Sequence, residues 1–260
     1  MKALKIFEEA YDREIIDKNF SRREAMTKGL GLGLKAALAA FPLLGVFGNR
    51  AYAAPPATVN DILNFALKLE YLEAAYYTKG LATDGLIPST DQKIFMQISK
   101  HETAHVALLK QTITSLNGTP VAEPTFDFTA GGTFADVFSN YQTFLALSNA
   151  FEDTGVRAYK GQAPGLMGSG AVLTAALDIH SVEARHASEV RRLRKIKGWI
   201  TNAEANGLPA AIYAGEDNTT QGGVDVKTIT SAPAAAITEA FDEFLTMDQV
   251  LAIAGPFIKA

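Results

Sequence analysis

The chain has 260 residues, 48% of them hydrophobic and 20% charged, with a formal net charge of -4 at pH 7. This length allows a sizeable core in one domain plus a leader or tail. The mildly acidic balance argues against nucleic acid as a partner. The basic run at residues 191–197 is expected to be a solvated helix end that complements the helix dipole. Because the sequence contains no cysteine, disulfides, thiolate zinc sites, iron–sulfur clusters, cysteine nucleophiles and a lipoprotein anchor are excluded.

Residues 1–53 are predicted to be a leader. Arg22 and Arg23 precede a Gly/Ala-rich apolar run, which ends in the small-x-small cleavage pattern Ala51-Tyr52-Ala53. This arrangement resembles a twin-arginine signal, which implies export by the twin-arginine machinery to the periplasm or cell envelope. Lys35 within the run weighs against a permanent transmembrane helix. The alternatives are an uncleaved leader that anchors the protein in a membrane and a helix packed on the protein.

Residues 54–260 are predicted to form one all-α domain. Gly and Pro positions divide it into four long helices and a C-terminal helical segment, at about 58–79, 89–116, 133–160, 171–197 and 233–254. Ser89-Thr90-Asp91 supplies N-cap residues for the second helix, and Phe134 and Phe138 begin the inward stripe of the third. The long connection, residues 118–132, joins the second helix to the third. Two helical hairpins with that single crossover form a four-helix bundle.

The two predicted hairpins repeat the same polar residues at nearly the same spacing. The repeated residues are Glu70, Tyr77, Glu102 and His105 in one half and Glu152, Tyr159, Glu183 and His186 in the other. In each half the tyrosine follows the first glutamate by two helical turns, and the last two residues form Glu-x-x-His. The interval between the two glutamates differs by a single position between the halves. Random placement would yield roughly a quarter of one Glu-x-x-His in the chain.

The repeat predicts a metal site in the bundle core. Glu70 and Glu152 lie on the inward stripes of their helices, and buried carboxylates are very costly unless they are paired or bind a cation. Four carboxylates that converge on one core therefore require positive charge, which two divalent cations bridged by them would supply. The predicted ligands are Glu70, Glu102, His105, Glu152, Glu183 and His186.

The sequence leaves the roles of three neighbouring residues open. Glu73 shares the stripe of Glu70, but its counterpart in the other half is Gly155. It is therefore either an additional ligand or a hydrogen-bonding neighbour of the ligands. Tyr77 and Tyr159 either donate hydrogen bonds to the carboxylates or pack the core, and packing is favoured because aromatic residues on a bundle stripe are usually core.

Two further histidines lie close to the Glu-x-x-His pairs. His180 is one turn before Glu183 and is a candidate outer partner of the ligands. His101 points about 100° away from Glu102 around the helix, so it is expected to be structural or exposed.

At these residues the chain resembles the ferritin-like superfamily, which includes rubrerythrins, manganese catalases and bacterioferritins. The stretches "LEYLEAAYY" and "AFDEFLTMDQVLAIA" are similar to exported bacterial ferritin-like domain proteins related to plant desiccation-related proteins. The resemblance covers most of residues 58–255. It implies a ferritin-like four-helix bundle in which the six predicted ligands hold two iron or manganese ions, with Glu102 and Glu183 as bridges and one histidine on each ion.

The sequence leaves three functions open. The first is redox chemistry with O2, peroxide or ferrous iron in stress protection, of the ferroxidase, peroxidase or catalase kind, because such carboxylate sites suit iron and manganese alike. The second is a non-enzymatic stress or scaffold protein with a structural metal or none. The third is iron storage, for which the long loops and extra C-terminal region argue against a 24-subunit cage and leave a homodimer open.

Overall fold

A computed structural model describes residues 57–259, and the predicted leader with its export function lies outside this range. The described helices are α1 (Val59–Ala82), α2 (Gln92–Ser115), α3 (Tyr141–Gln162), α4 (Gly170–Leu193), α5 (Ala234–Thr238) and α6 (Met247–Ala254). The strands are β1 (Thr125–Phe126), β2 (Thr220–Gln221), β3 (Val224–Asp225) and β4 (Ile258–Lys259). Within the described range, no helix is long and apolar enough to span a membrane.

The four long helices form the predicted all-α bundle of two hairpins. Helix α1 packs along α2, and α3 packs along α4. Helix α1 begins at a capping box, because the Thr58 hydroxyl accepts from the Asp61 amide and the Asp61 carboxylate accepts from the Thr58 amide. Helix α2 begins differently from the prediction. Asp91 makes no capping bond and instead accepts a 2.6 Å hydrogen bond from the Tyr141 hydroxyl at the start of α3.

Helix α3 begins at Tyr141, so the predicted start at residue 133 is wrong. The preceding segment folds into turns, in which the Asp136 carbonyl accepts from the Asn140 amide. Asn140 is extended, and its side chain caps the first turn of α3. Short polar side chains therefore compete with helix formation here. Phe134 and Phe138 still pack against the core, but from turns.

Helix α4 ends at Leu193, before the predicted end at residue 197. Lys195 takes a left-handed conformation with φ of 62°, and the Ile196 amide donates to the Arg191 carbonyl. A hydrogen bond of this kind, which spans a residue in the left-handed conformation, is a Schellman motif and ends the helix. The predicted stop, Gly198, lies beyond it.

The chain after α4, residues 194–259, is the C-terminal segment, and it packs against α3. The buried Arg157 guanidinium donates to the carbonyls of Ile212, Ala214 and Glu243 and pairs with Glu216 at 2.8 Å. Strand β4 pairs antiparallel with β1, so the end of the described chain is tied to the α2–α3 crossover. The predicted C-terminal helical segment is two short helices, α5 and α6, separated by non-helical chain.

Two apolar clusters flank the middle of the bundle. The aromatic end is packed by Tyr76, Tyr77, Phe95 and Phe144, whose rings contact one another. The aliphatic end is a second buried cluster, which contains Ile62, Leu63, Ala66, Leu109, Tyr159, Ala176 and Ile179. Along α1, Ile62, Leu63 and Ala66 of the aliphatic end precede Glu70, and Tyr76 and Tyr77 of the aromatic end follow it. The predicted metal ligands therefore lie between two water-excluding layers.

Candidate metal centre

The structure brings all six predicted ligands together in the bundle core. Helix α1 supplies Glu70 and α3 supplies Glu152, while α2 and α4 each supply a glutamate and a histidine one turn apart. The four carboxylates are fully buried, and the two histidines are at most 8% exposed. Each side chain points inward because its position belongs to the inward stripe of its helix, which recurs every third or fourth residue.

The ligands form two sets that share two carboxylates. One set contains Glu70 and His105, the other contains Glu152 and His186, and both contain Glu102 and Glu183. In each set the candidate ligand atoms all lie within 4.8 Å of one another. Two cation positions that share two ligands are therefore compatible with this geometry.

Each shared carboxylate directs one oxygen to each set. Glu102 places Oε2 at 3.2 Å from Nδ1 of His105 and Oε1 at 2.8 Å from Nδ1 of His186. Glu183 places Oε1 at 3.1 Å from His105 Nδ1 and Oε2 at 4.0 Å from His186 Nδ1. This division of its oxygens suits a carboxylate that bridges two cations.

Several buried atoms of the cluster lack hydrogen-bond partners. Of the eight such side-chain atoms in the described residues, five belong here: Glu102 Oε1, Glu152 Oε2, both oxygens of Glu183, and His186 Nδ1. His186 Nδ1 and Glu102 Oε1 are close, yet they are not aligned for a hydrogen bond. Native proteins leave few buried polar atoms unpaired. Oxygen and imidazole donors that converge with free lone pairs fit a divalent metal ion.

The pKa values of the carboxylates show the cost of burying them without a cation. Burial raises the pKa of Glu70 to about 7 and also raises the pKa of Glu152 and Glu183. Burial opposes ionisation of Glu102 as well, but its contacts with the two histidines prevail and lower its pKa to about 2. A metal ion would supply the positive charge that lets all four ionise.

The pKa values of the two histidines are raised. Burial disfavours the charged imidazole of His105, but the carboxylates around it, Glu102 foremost, raise its pKa to about 12. Burial likewise opposes protonation of His186, and the carboxylates, Glu152 foremost, raise its pKa to about 11. The carboxylates thus attract a positive charge to the ligand nitrogens. A metal ion bound there would displace these protons.

Two tyrosines orient the outer carboxylates, which are those of Glu70 and Glu152, from across the bundle. Tyr77 of α1 donates to Oε1 of Glu152 at 2.5 Å, and Tyr159 of α3 donates to Oε1 of Glu70. Both rings also pack in the apolar clusters. Of the two roles that the sequence left open, hydrogen bonding is therefore present together with packing.

His101 has a contact that sequence reasoning missed. Its Nδ1 lies 2.8 Å from Nε2 of His186, the ring atom opposite the one that faces the carboxylates. The rings are inclined by only 12° with centroids 5.1 Å apart, so they meet edge to edge. The side chain of Gln97 reaches the other nitrogen of His101. The signal available in the sequence was the i, i+4 spacing of Gln97, His101 and His105 on α2.

His180, the other histidine outside the two sets, makes no hydrogen bond with the ligands in the described structure. The charges that act on it are those of Lys160 and Asp242, and burial lowers its pKa. The geometry therefore gives no support to His180 as an outer partner of the ligands.

Glu73 lies in the same core but belongs to neither set. Burial, with repulsion from Glu183, raises the pKa of its carboxyl group well above the usual range. A Cβ at Gly155 would lie 3.2 Å from Oε1 of Glu73 and 3.4 Å from Oε2 of Glu183. The glycine therefore provides the space that this extra carboxylate occupies.

Comparison with known proteins identifies the family of the bundle. A family model described as a ferritin-like domain matches residues 58–195, which is slightly more than half of the chain. The match spans both helical hairpins and both Glu-x-x-His pairs. A search of curated proteins finds no match.

Proposed function

Since the chain belongs to the ferritin-like domain family, we propose that its core holds two divalent ions, iron or manganese, and uses them for redox chemistry with O2 or peroxide. The observation that carries this proposal is the pair of convergent ligand sets that share Glu102 and Glu183. Ferritin-like di-metal proteins use one glutamate from each of two helices and Glu-x-x-His from the other two.

The donor chemistry favours iron or manganese. Carboxylates and imidazoles without any sulfur ligand suit these cations, and the sequence contains no cysteine. When bound, the ions would supply reversible changes of oxidation state. Ferrous iron would be the electron donor when dioxygen is reduced, and a second peroxide molecule would be the donor when peroxide is consumed.

The protein residues would hold the ions and control their surroundings. The expected assignment is Glu70 and His105 on one ion, Glu152 and His186 on the other, and Glu102 and Glu183 as bridges. The hydroxyls of Tyr77 and Tyr159 orient the outer carboxylates, while the two apolar clusters exclude water from the site. Such neighbours of the ligands fix ligand orientation and tune a metal.

The experiment is to purify the full-length protein, load it with Fe(II) or Mn(II), and measure ferrous oxidation and peroxide consumption. The test variant is Glu102→Ala/Glu183→Ala, and the matched control is Glu123→Ala, an exposed glutamate in the crossover. The proposal expects activity in the wild type and control and its loss in the double variant. Bound metal without turnover would support a structural metal site in a non-enzymatic stress or scaffold protein. Equal behaviour of all three proteins would overturn the redox function.

We also propose an exported location. The twin-arginine pattern within residues 21–54 supports it, and export of the folded protein would allow metal to be loaded in the cytoplasm. A fusion of residues 1–54 to a reporter, compared with Arg22→Lys/Arg23→Lys, tests the proposal. Reporter activity in the periplasm that depends on the arginines is the expected result, and cytoplasmic retention of the unmodified fusion would contradict it.

A further inference from the structure

A small apolar cavity lies between the four long helices at the aliphatic end of the bundle. Its walls are mostly aliphatic, and four alanines, Ala66, Ala158, Ala175 and Ala176, leave the space open. Of the lining residues only Leu108 of α2 is exposed, at 44%. Helices α2 and α4, which both line the cavity, contact each other little.

The cavity adjoins the ligand cluster. Three of the helices place a lining residue four positions from a predicted ligand, a rise of about 6 Å along a helix. These lining residues are Ala66, Leu109 and Ile179. Tyr159 also lines the cavity, and its hydroxyl donates to Glu70. The apolar space and the carboxylates are thus separated by one tyrosine and one helical turn.

The internal repeat shows that the fold does not require this cavity. The repeated glutamates align α1 with α3 and α2 with α4. In this alignment the cavity positions Ala176, Ala158 and Ile62 correspond to Phe95, Tyr76 and Phe144. Those three rings pack around Tyr77 at the aromatic end. The chain therefore fills one end with aromatic rings and keeps the equivalent space free at the other.

We infer that this cavity binds dioxygen and lets it reach the cluster at Glu70, an inference that rests on the proposed function. The centre of a water-sized molecule can occupy about 20 Å³ of this cavity, so the space between the walls is larger than one water molecule. It is far smaller than the roughly 300 Å³ of a pocket for an organic substrate. Apolar walls leave the hydrogen-bonding groups of water or peroxide unpaired, whereas dioxygen has no such donors.

Xenon tests the cavity without any metal, because dry apolar cavities of proteins bind it. Xenon binding would be measured by xenon NMR on the full-length protein in metal-free and metal-loaded form. The test variant Ala176→Phe copies the residue of the aromatic end into the cavity. Ala171→Phe, an exposed position on the same helix outside the cavity, is the matched control. Ala176→Val serves as a smaller change if the phenylalanine prevents folding.

The wild type and Ala171→Phe should bind xenon equally, and Ala176→Phe should bind it roughly tenfold more weakly or worse. A wild type that binds no xenon, or a filled variant that binds it as well as the wild type, would overturn the inference. If the protein binds xenon but takes up no metal, the cavity is an apolar gas site, and the proposed redox function is refuted.

A second measurement links the cavity to the reaction. In the Fe(II)-loaded protein, Ala176→Phe should slow the reaction with dioxygen by roughly tenfold and leave the reaction with peroxide unchanged, because peroxide does not use an apolar route. Equal slowing of both reactions, or no slowing with dioxygen, would overturn the assignment of dioxygen to the cavity.

Discussion

The buried carboxylates of Glu70 and Glu152 are each stabilised by specific neighbouring side chains. Each outer glutamate accepts a hydrogen bond from a tyrosine of the other hairpin, Glu70 from Tyr159 and Glu152 from Tyr77. Burial raises the pKa of both tyrosines well above the usual range, so the hydroxyls keep their protons and remain donors. Each outer carboxylate is thereby held in one orientation, with its second oxygen directed to a histidine of the cluster.

The pair of His101 and His186 leads to the first prediction. His101 bonds to the ring nitrogen of His186 that faces away from the carboxylates, so it fixes the tautomer and orientation of that ring. Because loss of such a partner commonly weakens metal binding about 10- to 100-fold, His101→Ala should lower metal affinity by that order in a chelator competition. His180→Ala is the control, since the charges acting on His180 are those of Lys160 and Asp242. Equal weakening by both variants would contradict the assignment.

Glu73 leads to a second prediction. Its carboxylate belongs to neither ligand set, and burial with repulsion from Glu183 raises its pKa. Glu73→Gln keeps the shape but cannot ionise. Because the raised pKa of Glu73 costs the folded state stability once the pH rises above the ordinary value of 4.5, the metal-free variant should gain on the order of 1 kcal/mol in unfolding free energy at about pH 8. Metal content should stay the same. Denaturant unfolding and elemental analysis measure both quantities, and a loss of metal would make Glu73 a ligand.

The sequence predicted the convergence of the six residues because spacing along a helix determines which side chains share a face. It did not predict how His101 and the tyrosines are bonded. His101 lies about 100° from Glu102 around α2, yet it meets His186 of α4. That contact depends on the relative rotation and separation of two helices, which residue spacing within one helix does not contain.

Among the helices, α3 and α4 begin or end where local hydrogen bonds and backbone conformation interrupt the helix, and not where the hydrophobic periodicity stops. The apolar stripe continues through Phe134 and Phe138, but Asp136 and Asn140 bond to each other through backbone and side chain and turn the chain. Lys195 ends α4 in a left-handed conformation that glycine usually provides. Periodicity therefore predicted which residues pack inward better than it predicted where the helices begin and end.

The attachment of the C-terminal segment leads to a third prediction. Arg157 is fully buried and holds three carbonyls of that segment together with Glu216. Removing one partner of a buried ion pair typically costs about 3–5 kcal/mol. Arg157→Ala should therefore lower the free energy of unfolding, measured by chemical denaturation, by a similar amount. Arg185→Ala, at an exposed position on α4, should change stability little. A loss below about 1 kcal/mol in Arg157→Ala would contradict this role.

Glu216 gives this attachment a pH dependence, which is the fourth prediction. Burial raises the pKa of Glu216 to about 7 from its ordinary value of 4.5, although Arg157 opposes the shift. A raised pKa means that the folded state holds the proton more tightly, so the stabilisation is full below the ordinary pKa and is lost as pH rises through the raised one. Thermal unfolding of metal-loaded protein should show the wild type losing stability relative to Glu216→Gln between about pH 5 and 8. A constant difference over that range would contradict the prediction.

At the scale of the whole molecule, the duplicated hairpin connects sequence, fold and site. The Gly and Pro positions and the single long connection predicted a bundle of two hairpins, and the repeat places a glutamate and a Glu-x-x-His in each hairpin. The repeat is broken where Glu73 corresponds to Gly155, His101 to Val182, and Phe95 to Ala176. These three differences give the halves different chemistry: an extra carboxylate, a second imidazole beside one ligand, and a cavity at the aliphatic end. The C-terminal segment, by contrast, has no repeat and little periodicity, so its path along α3 could not be read from the sequence.

Metal content is the decisive measurement for the proposal that the six converging residues hold two divalent ions. Full-length wild type, Glu102→Ala/Glu183→Ala and the control Glu123→Ala would be loaded anaerobically with Fe(II) or Mn(II), desalted and analysed for metal by mass spectrometry. We predict about two ions per chain in the wild type and control, one for each convergent set, and close to none in the double variant. A wild type without metal, or a double variant that keeps as much metal as the wild type, would refute a two-ion site at these residues.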